Sequence, residues 1–131
     1  MKTLIVEDDL VSRLLLERFL KKYGPVHMAL NGKEALEAVK LADETGEPYD
    51  LICLDIMMPE MDGQQALKEM RAMEEARDLS LSRRVKIIMT TALADKENVI
   101  EAIRGKCDAF LVKPFQKARL LEELRRLNLI R

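Results

Sequence analysis

Three acidic residues in a row, Glu7-Asp8-Asp9, follow the apolar run Leu4-Ile5-Val6, and a single Asp55 follows Leu51-Ile52-Cys53-Leu54. Two further apolar runs end in Thr90-Thr91 and in Lys113-Pro114. A carboxylate at the end of a buried run loses hydration, and that is unfavourable unless a cation or hydrogen-bond donors face it. Carboxylates gathered at one place repel each other and are driven toward protonation, which a hard divalent cation relieves. Mg2+ suits such oxygen ligands and keeps several of its waters. A lysine beside it is a point charge for an anionic group such as a phosphoryl group, and a threonine hydroxyl can donate to the same group. A carboxylate can also act as a nucleophile and form an aspartyl phosphate, the protein supplying position and charge neutralisation. Asp55 stands alone on its run and is the candidate nucleophile. Asp8 and Asp9 are candidate metal ligands, Lys113 and Thr91 candidate phosphoryl contacts, and Glu7 is expected to cap or solvate the site.

These residues can meet only if the elements carrying them end on one rim. Short β runs are expected at Thr3–Val6, Val26–Leu30, Tyr49–Leu54, Val85–Met89 and Ala109–Val112. Between and after them, helical spacing is expected over Leu10–Tyr23, from an Asn31 cap to about Asp43, from Gly63 to about Asp78, over Asp95–Arg104 and over Gln116–Leu127. Strict β-α alternation predicts an α/β fold, a doubly wound five-stranded parallel sheet with helices on both faces. Strands of Val, Ile and Leu without polar alternation fit burial on both sides. In such sheets, sites form beyond the carboxyl ends of the strands. Arg71 to Arg84 is charged, with Arg71-Glu75 spaced to attract and Glu74-Asp78 to repel, and is expected to be a solvated helix end.

At 131 residues the chain is expected to be one domain, residues 1–131. A formal charge of −1 argues against bulk electrostatic binding to nucleic acid. No apolar run approaches the ~20 residues of a membrane span, and Glu7 comes too early for a signal peptide; a cytoplasmic protein is expected. Cys53 and Cys107 read as reduced thiols, and His27, the one histidine, as structural or exposed.

Taken in order, Asp8-Asp9, then Asp55 within Leu54-Asp55-Ile56-Met57-Met58-Pro59, Met61-Asp62-Gly63, Thr91-Ala92 and Lys113-Pro114-Phe115 resemble the receiver domain of response regulators in two-component signalling. The resemblance spans essentially the whole chain. It implies the flavodoxin-like strand order 2-1-3-4-5, a phosphoryl group accepted by Asp55 from a sensor histidine kinase, and an unknown downstream partner. It implies Mg2+, with Mn2+ as a substitute, held by Asp9, Asp55 and the backbone carbonyl of Met57, with Asp8 assisting through water. It further implies a cis Lys113–Pro114 bond and a switch in which Thr91 and the aromatic Phe110 move together. Positions that tune phosphoryl lifetime in the family are here Met57 and Leu93, both apolar, so a long-lived phosphorylated form is expected. A homodimer through the last helix, using Leu120, Leu121, Leu124, Leu127 and Ile130, is a further expectation.

The alternatives are a receiver cut from a longer regulator, an intermediate phosphotransfer module, and a degenerate receiver used only for interaction. The intact Asp8, Asp9, Asp55, Thr91 and Lys113 speak against the last. An aspartyl-phosphate phosphatase would want a second Asp two residues after the nucleophile, where Met57 stands. A flavin carrier would want a phosphate loop where Glu7-Asp8-Asp9 would repel one.

Overall fold

Thr3–Val6 (β1), Val26–Ala29 (β2), Leu51–Asp55 (β3), Lys86–Thr91 (β4) and Ala109–Val112 (β5) form one sheet in the order β2-β1-β3-β4-β5, with every pairing parallel. The computed structural model describes residues 1–58, 61–80, 83–92 and 96–131, without the side chains at 96, 98 and 99. The helices are Leu10–Leu20 (α1), Gly32–Glu44 (α2), Gly63–Ala76 (α3), Lys96–Arg104 (α4) and Lys117–Arg126 (α5). The sheet class and order agree with the sequence expectation. No helix among the described residues is long and apolar enough to cross a membrane.

Alternation along the strands divides the core in two, because successive side chains point to opposite faces. Leu4, Val6, Ile52, Leu54, Ile87 and Met89 meet Leu36, Leu67, Met70 and Ala102 from α2, α3 and α4. Ile5, Leu51, Cys53, Ile88 and Leu111 meet Leu16, Leu20, Leu120 and Leu124 from α1 and α5. The central strands are buried on both faces, as their unbroken apolar sequence requires.

Among the described residues, three helices begin on side-chain caps. Asp9, Asn31 and Asp62 each accept from the backbone N–H three residues on, at Ser12, Glu34 and Gln65, all at 2.9 Å. The first helix ends earlier than its spacing suggests: Lys21–Tyr23 tightens into a 3-10 turn, and Gly24 follows at φ +143°, where a Cβ would meet the Met1 carbonyl oxygen at 2.0 Å.

Both central strands lie further along the chain than expected. Asp50 is tied to Lys2 outside the ladder, so β3 starts at Leu51 and takes in Asp55, which pairs with Thr90. Val85 bonds to α3 side chains, donating to Glu74 (2.8 Å) and accepting from Arg71 (2.9 Å), so β4 starts at Lys86 and includes both threonines.

The charged end of α3 is not simply solvated. Arg71 and Glu74 are buried, and Arg71 reaches Glu74 (2.7 Å), Asp108 (2.7 Å), the Val85 carbonyl (2.9 Å) and the Lys106 carbonyl (3.0 Å). Its ionic partners are therefore Glu74 and Asp108, and Glu75 pairs with Lys106 instead. Leu120 and Leu124 are fully buried, with Leu121, Leu127 and Ile130 packed beside them. Of the residues expected to form a dimer face, Leu120 and Leu124 thus cover the sheet, while Leu121, Leu127 and Ile130 are half-buried.

Candidate functional site: a carboxylate rim closed by a lysine

Asp55 is the last residue of β3 and is 4 % exposed. Its Oδ2 lies 3.3 Å from Lys113 Nζ, and its Oδ1 accepts from the Met57 N–H at 3.3 Å. Lys113 follows β5, and its N–H donates to the Thr91 carbonyl at 2.7 Å. The peptide bond from Lys113 to Pro114 is cis. Nζ lies 2.5 Å from Glu7 Oε1, so one ammonium bridges the carboxylate that follows β1 and the one that ends β3. Oε1 of the buried Glu7 meets the lysine as an ion pair without hydrogen-bond geometry, while Oε2 accepts from the Asp9 N–H at 3.2 Å.

Glu7, Asp8 and Asp55 each bring a carboxylate oxygen to within 4.8 Å of the others. Asp9 is not in this group, for β1 ends at Val6 and the chain enters α1 at Leu10. The last acid of the triplet therefore caps the helix, and the first stays at the strand end, where a solvating role was expected. Electrostatics separate the two. Burial, then the neighbouring Asp55, pushes the Glu7 carboxyl above the usual range, with Lys113 opposing. The Ser12 hydroxyl and N–H hold Asp9 below it. Burial alone would lower Lys113, but Glu7 and the Asp55 charge outweigh this and raise it, keeping it cationic.

A compact set of three carboxylates is the donor set of a hard cation, so the residues present fit Mg2+. Thr91 ends β4 fully buried, in register with Val112. Phe110, in β5, pairs with Met89 and packs half-buried against the α2/α3/α4 side of the core. Met57 turns its side chain out, 64 % exposed. Leu93, Asp95 and the Pro59-Glu60 pair lie outside the described residues.

Gly63 opens α3 directly against this site. Its N–H donates to the Ile56 carbonyl at 2.9 Å, and a Cβ there would lie 2.0 Å from the Asp55 carbonyl oxygen. The sequence signal was the Asp62-Gly63 pair, but the close approach itself is visible only in three dimensions.

Residues 3–125 match the response regulator receiver domain family. The chain belongs to that family. It is 37% identical over 125 residues to the chemotaxis protein CheY of Bacillus subtilis, covering 94% of this chain and 93% of that one. It is 34% identical over 129 residues to CheY of Thermotoga maritima, covering 97% of each. A solved receiver domain of the histidine kinase CKI1 from Arabidopsis thaliana, complexed with Mg2+ and BeF3-, superposes with a TM-score of 0.80 at 31% identity, covering 98% of this receiver and 90% of that chain. Receivers are signalling switches of two-component systems that work with histidine kinases, not enzymes of the ordinary kind.

Proposed function

We propose that Asp55 accepts a phosphoryl group from a histidine kinase and that this receiver then signals through altered partner binding. The observation that carries this is the buried Asp55 carboxylate, held 3.3 Å from Lys113 beside Glu7 and Asp8. An Asp55 oxygen attacks phosphorus, the N–P bond of the phosphohistidine breaks, and its electron pair leaves on the imidazole, which takes a proton from solvent. Lys113 compensates charge on the phosphoryl oxygens, and the Thr91 hydroxyl donates to one of them. Glu7, Asp8 and Asp55, with the Met57 carbonyl, would hold Mg2+ or Mn2+, and Asp9 is kept for its helix. The bound cation supplies neutralisation of the phosphoryl charge. Thr91 moving toward the phosphoryl group vacates space into which Phe110 turns, so the switch rests on packing.

Residues 1–131 act as one receiver unit in this scheme. The similarity to CheY over nearly the full length of both chains favours a binding switch over a phosphotransfer intermediate. The test is incubation with acetyl phosphate and Mg2+, read by intact mass. One base-labile phosphoryl adduct is expected, lost with EDTA and in Asp55→Asn. No adduct on the wild type, or one that persists in Asp55→Asn, overturns the proposal.

A further inference from the structure

The rim occupies the carboxyl ends of the strands, and the opposite end of the same sheet carries a cavity of about 360 Å3 between α2 and α3. Its walls are apolar where Val39, Tyr49, Ile52, Met70 and Val85 line it. A volume of this size is in the range of small-molecule sites, which combine an apolar body with a few placed polar groups.

The polar groups at the wall differ in how far they are satisfied. Asp43 is held by Arg77 at 3.0 Å. Glu74 is held by Arg71 at 2.7 Å and by the Val85 N–H at 2.8 Å. Four carbonyls in the last turns of α2 and α3 accept from backbone donors: Thr45 and Gly46 bond to Leu41 and Asp43, and Arg77 and Leu79 to Met73 and Glu74. Both carboxylates among the described residues of the wall are therefore answered. Arg83, also on the wall, has a side chain without a partner among the described residues. A guanidinium at the mouth of an apolar cavity selects a carboxylate over a neutral or cationic head group.

We infer that this cavity binds a small amphipathic carboxylate, its apolar part between α2 and α3 and its carboxylate on Arg83. Such a ligand would occupy the receiver at the end of β3 opposite Asp55, leaving the rim open. The test is a 15N NMR titration of the whole chain with 4-phenylbutyrate, 4-phenylbutanol and 4-phenylbutylamine. Saturable shifts are expected at the amides of Tyr49, Ile52, Met73 and Val85, with the carboxylate binding tightest and the amine weakest. The exposed substitution Arg83→Gln should weaken the carboxylate about tenfold, the loss of one charged hydrogen bond, and leave the alcohol unchanged. Met73→Trp, which fills the space, should abolish both. The inference is overturned by non-saturable or scattered shifts, by an alcohol or amine that matches the carboxylate, or by an Arg83→Gln titration identical to wild type.

Discussion

Replacing Arg71 by methionine should destabilise the receiver by about 3 kcal/mol. Removing one partner of a buried ionic pair costs about 3–5 kcal/mol, because the charge left behind is uncompensated. Glu74 is left in that state, its side chain 11 % exposed, with only the Val85 N–H among the described residues still donating to it. Asp108 is 24 % exposed, so water reaches it, and it keeps the Ile87 N–H at 2.8 Å. This places the loss at the low end of the range. An unfolding entropy of about 2.1 cal/mol/K per residue gives roughly 0.28 kcal/mol/K for a chain of this length, so about 3 kcal/mol lowers Tm by about 11 °C. Urea unfolding followed by circular dichroism reads the loss as a lower midpoint with an unchanged slope. Adding Glu74→Gln removes the stranded charge and should restore about 1 kcal/mol or more. A loss below about 1 kcal/mol in Arg71→Met, or a deeper loss in the double variant, would falsify the view that this hub is a buried charge balance.

Gly63→Ala should cost about 2 kcal/mol by overpacking and slow phosphorylation of Asp55, since the new methyl displaces the Asp55 carbonyl; full acetyl phosphate reactivity in this variant would refute the close approach. Burial pushes the Cys53 thiol up to about 12, so at pH 8 iodoacetamide should modify Cys53 only as fast as the whole chain unfolds, with the half-buried Cys107 reacting first. Because folding raises this acid's pKa, the unfolded chain loses the thiol proton first, and stability should fall as pH rises from about 9 toward 12; Cys53→Ala should show a shallower decline in alkaline urea titrations. Met57→Asn should shorten the life of phosphorylated Asp55 by placing a polar group where an apolar side chain now stands; equal decay rates, measured after removing acetyl phosphate, would count against that role.

Strand ends were legible in the sequence because a charged residue closing an apolar run is a local signal. Asp55, Thr91 and Lys113 needed nothing more. The division of labour within Glu7-Asp8-Asp9 was not legible, since three adjacent acids look alike until the chain's departure from the sheet decides which one caps α1. The Arg71 hub was hidden for another reason. Helical spacing pairs Arg71 with Glu75, but the α4–β5 connection brings in Asp108 and the Lys106 carbonyl, 37 and 35 residues away. Leu120 and Leu124 were counted toward an outer face because spacing alone does not say which side of a helix the sheet will cover.

The strand order has a consequence for when the rim can exist. Glu7 and Asp55 meet only through the β1–β3 pairing, with β2 and two helices closed off as an intervening loop, and Lys113 reaches Asp55 across 58 residues. Contacts of such long sequence separation require loop closure before they return any stabilisation. No single β-α unit carries a half-competent version of the site. A chain emerging from synthesis holds Asp55 long before Lys113, and a partly folded receiver has acids without their counter-charge. In the proposed scheme, competence to take a phosphoryl group is thus a readout of completed topology, and immature molecules would stay silent to a kinase.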